Sequence, residues 1–186
     1  MISISLLNIP IKTYRFHFAT DSQIRLPGFP GSAWRCAFGH ALKKTVCIVR
    51  NTPCYQYLLK NACVNSTVFE TPPPANTEKM RKYTEEPYPF VLQFPITSSA
   101  ADALYSLDMI LFGHGQRHFP YIIHALITAG QNGIGGHQQI FNLQKIDDIN
   151  QQGLGETIYQ KGELLPQEPS ELTLDIFPKY LLLDQS

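Results

Sequence analysis

Long apolar runs are missing from this chain. No stretch approaches the roughly 20 consecutive apolar residues that cross a bilayer. The opening Met1-Ile-Ser-Ile-Ser-Leu-Leu7 lacks the basic start and small-residue cleavage site of a secretory leader. A cytoplasmic location without a membrane partner is therefore the expectation. An excess of either charge is missing too: 15 Lys and Arg balance 15 Asp and Glu, giving a formal net charge of +0 at pH 7. That argues against a large sequence-independent nucleic-acid footprint, which shows as basic excess, but leaves a local patch open. Charged residues are only 16% of the chain against 44% hydrophobic ones, a balance that excludes a disordered segment. A length of 186 residues suffices for one domain with a real core, or one domain plus an appendage.

The charges are unevenly placed. Residues 12 to 60 hold Lys12, Arg15, Arg25, Arg35, Lys43, Lys44, Arg50 and Lys60 against the single acid Asp21. The last third reverses this with Asp147, Asp148, Glu156, Glu163, Glu168, Glu171, Asp175 and Asp184. Such asymmetry orients a polyanion toward the N-terminal half.

Hydrophobic periodicity predicts the elements. Residues 11–20 alternate, with Tyr14, Phe16 and Phe18 on one face and Arg15 and His17 on the other, as a strand does. Tyr14 reads as core, and His17 as a residue able to contact a nucleotide from such a sheet. Leu26-Pro-Gly-Phe-Pro-Gly31 is a punctuated loop that runs into an amphipathic helix from about Ser32 to Val49, with Ser32 as its N-cap. Trp34, Phe38, Ala41, Leu42, Thr45 and Val49 share one apolar arc of this helix. Cys36, His40, Lys43 and Cys47 fall on the other side, with Lys44 beside them.

Periodicity is lost over residues 50–86, where the triple proline at 72–74 forbids a regular element. Strands follow at 89–94 and 104–112. A helix is predicted at 119–129, ending at Gly130, and a strand at 138–146 with Ile140, Leu143 and Ile146 in the core. The order strand, helix, strand, strand, helix, strand predicts an α+β domain over residues 1–150. Its expected form is a ferredoxin-like (RRM-like) βαββαβ sheet with two helices on one face, plus the long irregular insertion. Residues 151–186 read as an extension and linker with short strands at 157–160 and from Leu172.

Several residue sets suggest chemistry. Histidine titrates near neutrality, so His40 with Lys43 and Lys44 within one turn suits work on phosphates; an ordinary solvated helix face is the plain alternative. Arg35 and Arg50 are further phosphate-contact candidates. Gln131-Asn-Gly-Ile-Gly-Gly136 allows positive φ and close backbone approach to a phosphate, or else a tight helix-to-strand turn. His114, Arg117 and His118 precede the second helix, where an anion could be met or the loop merely solvated.

Six blocks in order carry a family likeness: Gly31-Ser-Ala-Trp-Arg-Cys-Ala-Phe-Gly-His-Ala-Leu42, Val46-Cys47, Phe69-Glu-Thr-Pro-Pro-Pro74, Met80-Arg-Lys-Tyr83, Pro87-Tyr-Pro-Phe-Val-Leu92 and Pro120-Tyr-Ile-Ile-His-Ala-Leu126, with Leu111-Phe-Gly113 and Gly130-x-x-Gly-Ile-Gly135 around the last. The chain resembles, over roughly residues 26–147, the CRISPR-associated endoribonucleases of the RAMP superfamily that process precursor CRISPR RNA. The resemblance implies the same ferredoxin-like fold and metal-independent RNA cleavage leaving a 2′,3′-cyclic phosphate. It implies His40 as general base, with Lys43 and Lys44 holding the phosphate. Arg35, Arg50, Gly133, Gly135, Gly136 and His137 become the expected RNA contacts, although the family's arginines after the glycine loop are replaced here by His137, Gln138 and Gln139.

The family's cysteine cluster maps onto Cys47, Cys54 and Cys63, but its remaining cysteine is Tyr57 here, and three thiolates alone do not close a structural zinc site; either Cys36 or His40 completes it, or the cysteines are isolated reduced thiols or a stray disulfide. No cofactor is required for the cleavage itself. The implied partners are CRISPR repeat RNA, other CRISPR effector subunits and a second copy of the chain. A second ferredoxin-like domain follows in that family, and its first strand would fall near Leu172. Two other readings stand open: a non-catalytic RNA-holding scaffold of the same fold, and a ferredoxin-like protein-interaction module that never touches RNA.

Overall fold

The structure, a computed structural model, describes residues 8–21, 24, 26, 30–48, 56, 62–72, 87–94, 104–166 and 172–175. Strand β1 (Asn8–Thr20) is built as its alternation predicts: Tyr14, Phe16 and Phe18 are buried, while Arg15 and His17 stand on the opposite face. Helix α1 (Pro30–Val46) follows, then a π-helical turn (Ser66–Glu70), β2 (Phe90–Gln93) and β3 (Leu104–Phe112). A 3₁₀ turn (Gly113–His118) leads into α2 (Phe119–Asn132) and β4 (Phe141–Ile149). The chain then adds β5 (Gly155–Gln160), β6 (Glu163–Leu164) and β7 (Leu172–Asp175). Among the described residues no helix is long and apolar enough to cross a membrane.

All seven strands join one antiparallel sheet in the order β2-β3-β1-β4-β5-β6, with β7 paired to the start of β1. β4 takes residues 13–20 of β1, and β7 takes residues 8–11. Residues 155–160, read from sequence as part of an extension, thus continue the sheet that β4 belongs to.

Both helices cover the Tyr14, Phe16 and Phe18 face. Trp34, Phe38, Ala41 and Leu42 of α1 recur at helical spacing and join Ile122, Ile123, Ala125, Leu126 and Ala129 of α2 in one core. Aromatic rings tie α1 to three strands. Trp34 lies 5.3 Å from Phe18, 4.8 Å from Phe141 and 5.4 Å from Tyr105, centroid to centroid. At the other end Phe119 stacks on Tyr14 at 3.9 Å. Burial, with Asp148 beside it, pushes the Tyr14 hydroxyl well above its ordinary pKa.

Several boundaries differ from the sequence reading, among them the end of α1 at Val46 rather than Val49, and three have a clear local reason. α1 starts at Pro30 rather than Ser32, because proline's fixed φ and missing N–H fit a first helical turn. α2 continues through Gly130 to Asn132. A side chain at residue 130 would collide with the Phe141 carbonyl, so this glycine permits close packing, while Gly133, at φ 79°, ends the helix. The next strand starts at Phe141 instead of 138, since residues 134–139 form a tight turn closed by an Ile134–Gln139 bridge. Ile140 is consequently 46% exposed, not core, whereas Leu143 packs against the core and Ile146 is fully buried.

Because Phe18 sits among Trp34, Phe16 and Phe141, Phe18→Ala leaves a cavity that the rings around it cannot close. The expected cost is about 3–5 kcal/mol, read as a lowered urea midpoint with little change in m-value.

Candidate functional site

Two polar surfaces emerge from this packing, one on each side of the molecule. The first is the outward face of α1. With the apolar arc turned to the core, His40, Lys43 and Lys44 are exposed at positions i, i+3 and i+4, together with the free thiol of Cys36. The helix contains no acidic residue, and neither lysine has a carboxylate partner among the described residues. The structure therefore brings together the three residues that sequence singled out for catalysis.

The expected RNA contacts do not gather around them. Arg35 is half-buried, its guanidinium 3.9 Å from the centre of the Tyr88 ring and 5.3 Å from that of Phe69. Gly133, Gly135, Gly136 and His137 belong to the turn after α2. Gly133 and Gly135 take positive φ, the Gln138 N–H donates to the Gly135 carbonyl at 3.1 Å, and Gly136 and His137 are exposed at the tip. Phe141, just beyond this turn, pairs with Thr20, so the turn lies at the end of the sheet where α1 begins. Lys43 and Lys44 lie in the last turn of α1, about 20 Å further along the helix. Arg50 and Cys54 lie outside the described residues. Cys47 and Cys63 are half-buried, and among the described residues no three metal-ligating side chains come together.

The second surface is the sheet face turned away from the helices. There Arg15 of β1 grips Asp108 of β3 with two hydrogen bonds, Nε to Oδ1 at 2.7 Å and an amino group to Oδ2 at 2.8 Å. His17 Nε2 lies 2.8 Å from Asp147 Oδ2, and its Nδ1 lies 3.4 Å from the Ser106 hydroxyl. Asp147 also accepts from Thr157 at 2.8 Å and from Lys145 at 2.9 Å. A β-bulge between His17 and Phe18 in the β1–β4 ladder, and another beside Asp147 in β4–β5, set these side chains side by side.

The electrostatics of this row are self-contained. Burial works to raise the Asp147 pKa, but hydrogen bonds from Lys145, Thr157 and His17 outweigh it and hold the carboxyl below the ordinary range. Hydrogen bonding to Asp108 raises Arg15 further against the opposing effect of burial. On the helix-covered face of the same strand, beside Tyr14, Lys12 pairs with Asp148 at 2.9 Å. Each cation of the row thus has a carboxylate, and the face carries little unmatched charge for a polyanion. Chemically the Ser106–His17–Asp147 line can fix one tautomer of the imidazole. Sequence reasoning found His17 by alternation but not its partners, whose strands are read separately from β1.

A third polar group sits before α2. His118 Nε2 is 3.3 Å from the Thr67 hydroxyl, and burial, followed by the nearby His114 and Arg117, lowers its pKa.

Residues 8–171 match a protein-family model that is described as an N-terminal domain. No curated protein and no solved structure matches the chain.

Asp147 gives the network a defined pH dependence. Its folded pKa lies below the ordinary 3.8, so the stabilisation is fully present above that value and is lost as pH falls through the folded one. Urea midpoints of the wild type should decline between about pH 5 and about pH 2 more steeply than those of Asp147→Asn, which lacks the titrating group. Parallel curves would show that the network contributes nothing.

Proposed function

We propose that this chain, which belongs to the family of that model, AF_1859_N, is the N-terminal domain of a CRISPR RNA-processing endoribonuclease of the RAMP type. The order β2-β3-β1-β4, with one helix after β1, another after β3 and both on the same face, supports a ferredoxin-like reading of its first four strands. The resemblance of the six sequence blocks supports the family of activity.

The observation that carries the reading is the outward face of α1. Three groups suited to phosphate chemistry occupy a single helical turn, and no carboxylate among the described residues neutralises them. In the proposed reaction neutral His40 takes the proton of a ribose 2′-hydroxyl, and the oxygen attacks the adjacent phosphorus. The P–O5′ bond breaks, leaving a 2′,3′-cyclic phosphate, and the departing 5′-oxygen acquires a proton. Lys43 and Lys44 stabilise the added negative charge of the phosphorane. CRISPR repeat RNA is the proposed substrate.

A specific observation favours a second reading, an RNA-holding scaffold of the same fold. Among the described residues no hydrogen bond orients the His40 ring, and a general base needs such positioning.

Labelled repeat RNA incubated with the chain in EDTA separates the two. Cleavage to a cyclic-phosphate end, reduced about 10²–10⁴-fold in His40→Ala with binding retained, is the expected result. Binding without cleavage in the wild type assigns the scaffold, and absence of both removes RNA from the account. Lys43→Ala and Lys44→Ala should each lower the slope of log affinity against log salt by about 1, measured by filter binding across a salt series.

A further inference from the structure

Where the first turn of α1 faces β2, the molecule encloses a groove of about 550 Å³. Small-molecule sites span about 300–1,000 Å³. Its walls include Gly31, Ser32 and Arg35 of α1 and Tyr88, Phe90 and Leu92 on the other side. Apolar and aromatic groups dominate the described lining, whose one charged side chain is Arg35. Among the described residues no carboxylate lines the groove or pairs with Arg35, and α1 itself contains none.

The state of Arg35 is the informative detail. Its guanidinium carbon lies over the Tyr88 ring, 3.9 Å from its centre, while Tyr88 in turn contacts Phe69 and Phe90, each at 5.9 Å. A guanidinium supported in this way keeps its N–H edge for an anion while its plane serves as a stacking surface. Nucleobases stack on arginine planes and aromatic rings, and phosphates take the arginine fork in two-point hydrogen bonds. The sheet face offers the contrast: Arg15 there is already gripped by Asp108, so its fork is occupied.

We propose that this groove is a subsite for one unpaired nucleotide. The base stacks at the Arg35–Tyr88 pair within the apolar groove, and the phosphate lies on the guanidinium edge. Charge complementarity fixes the choice of occupant: a cationic or neutral aromatic ligand leaves Arg35 unmatched, and a bare anion leaves the apolar wall unused. Two sources present this chemistry, a free mononucleotide and an unpaired residue of an RNA strand, and the second rests on the RNA reading above.

Isothermal titration of the whole chain with AMP, adenosine and inorganic phosphate tests the subsite. AMP should bind at least about tenfold more tightly than either fragment, because only it uses both the stacking surface and the fork. Arg35→Ala should weaken AMP by about tenfold or more. Arg35→Lys, which keeps charge but not the plane, should retain phosphate binding and lose the preference for AMP. Circular dichroism of both variants checks that the fold is intact, and Tyr88→Leu gives an independent loss of stacking. Equal AMP affinity in wild type and Arg35→Ala, phosphate binding as tightly as AMP, or no AMP binding at millimolar concentration would each overturn the proposal.

A single-stranded oligoribonucleotide that binds more tightly than AMP assigns the subsite to an RNA strand, and one that gains nothing assigns it to free nucleotide. A chain that binds AMP here yet cuts no repeat RNA keeps the subsite and loses the nuclease. Cleavage without AMP binding does the reverse.

Discussion

The structure depends on the two-faced character of β1. Its even residues supply Tyr14, Phe16 and Phe18 to the core under both helices, and its odd residues supply Arg15 and His17 to the ion pairs on the far face. Because side chains alternate with a period of two, a slip of one residue would drive two polar groups among the rings and three rings into water. Register is therefore specified from both sides at once. β3 and β4 are held in place by this one strand, and β7 uses its remaining residues.

Polar groups on the two sides of the sheet are managed differently. On the strand side, cations that sequence assigns to an N-terminal basic excess are consumed by carboxylates: Arg15 by Asp108 and Lys12, near the helix layer, by Asp148. On the helix side, α1 carries Arg35, Lys43 and Lys44 with no acid in its sequence. Among the described residues the asymmetry seen along the chain is thus cancelled at Lys12 and Arg15 and survives on α1. A zero net charge and a locally cationic helix are compatible for that reason.

Much of the architecture was legible beforehand. Alternation found β1, β3 followed its apolar run from Leu104 to Phe112, and the helical arc identified Trp34, Phe38, Ala41 and Leu42 as core. What escaped depended on long-range geometry. Gly130 looked like a helix end because glycine usually marks one; its real reason, the approach of Phe141, lies eleven residues further on and is invisible to local pattern. The exposed trio on α1 follows from helical spacing alone, so sequence found it whole. The groove by Arg35 and the Ser106–His17–Asp147 row each join residues from separate elements, and no spacing rule places Tyr88 under Arg35 or Asp147 beside His17.

The central position of β1 also has a consequence for when this protein can fold. Arg15 meets Asp108 across 93 positions of sequence, and His17 meets Asp147 across 130. β1 leaves the ribosome well before the strands that enclose it, because both of its edges await partners made much later. At an elongation rate of about 5–20 residues per second, Tyr14, Phe16 and Phe18 remain uncovered for several seconds of synthesis. During that interval the nascent segment is an apolar ribbon with open edges, exposed to pairing with the wrong neighbour.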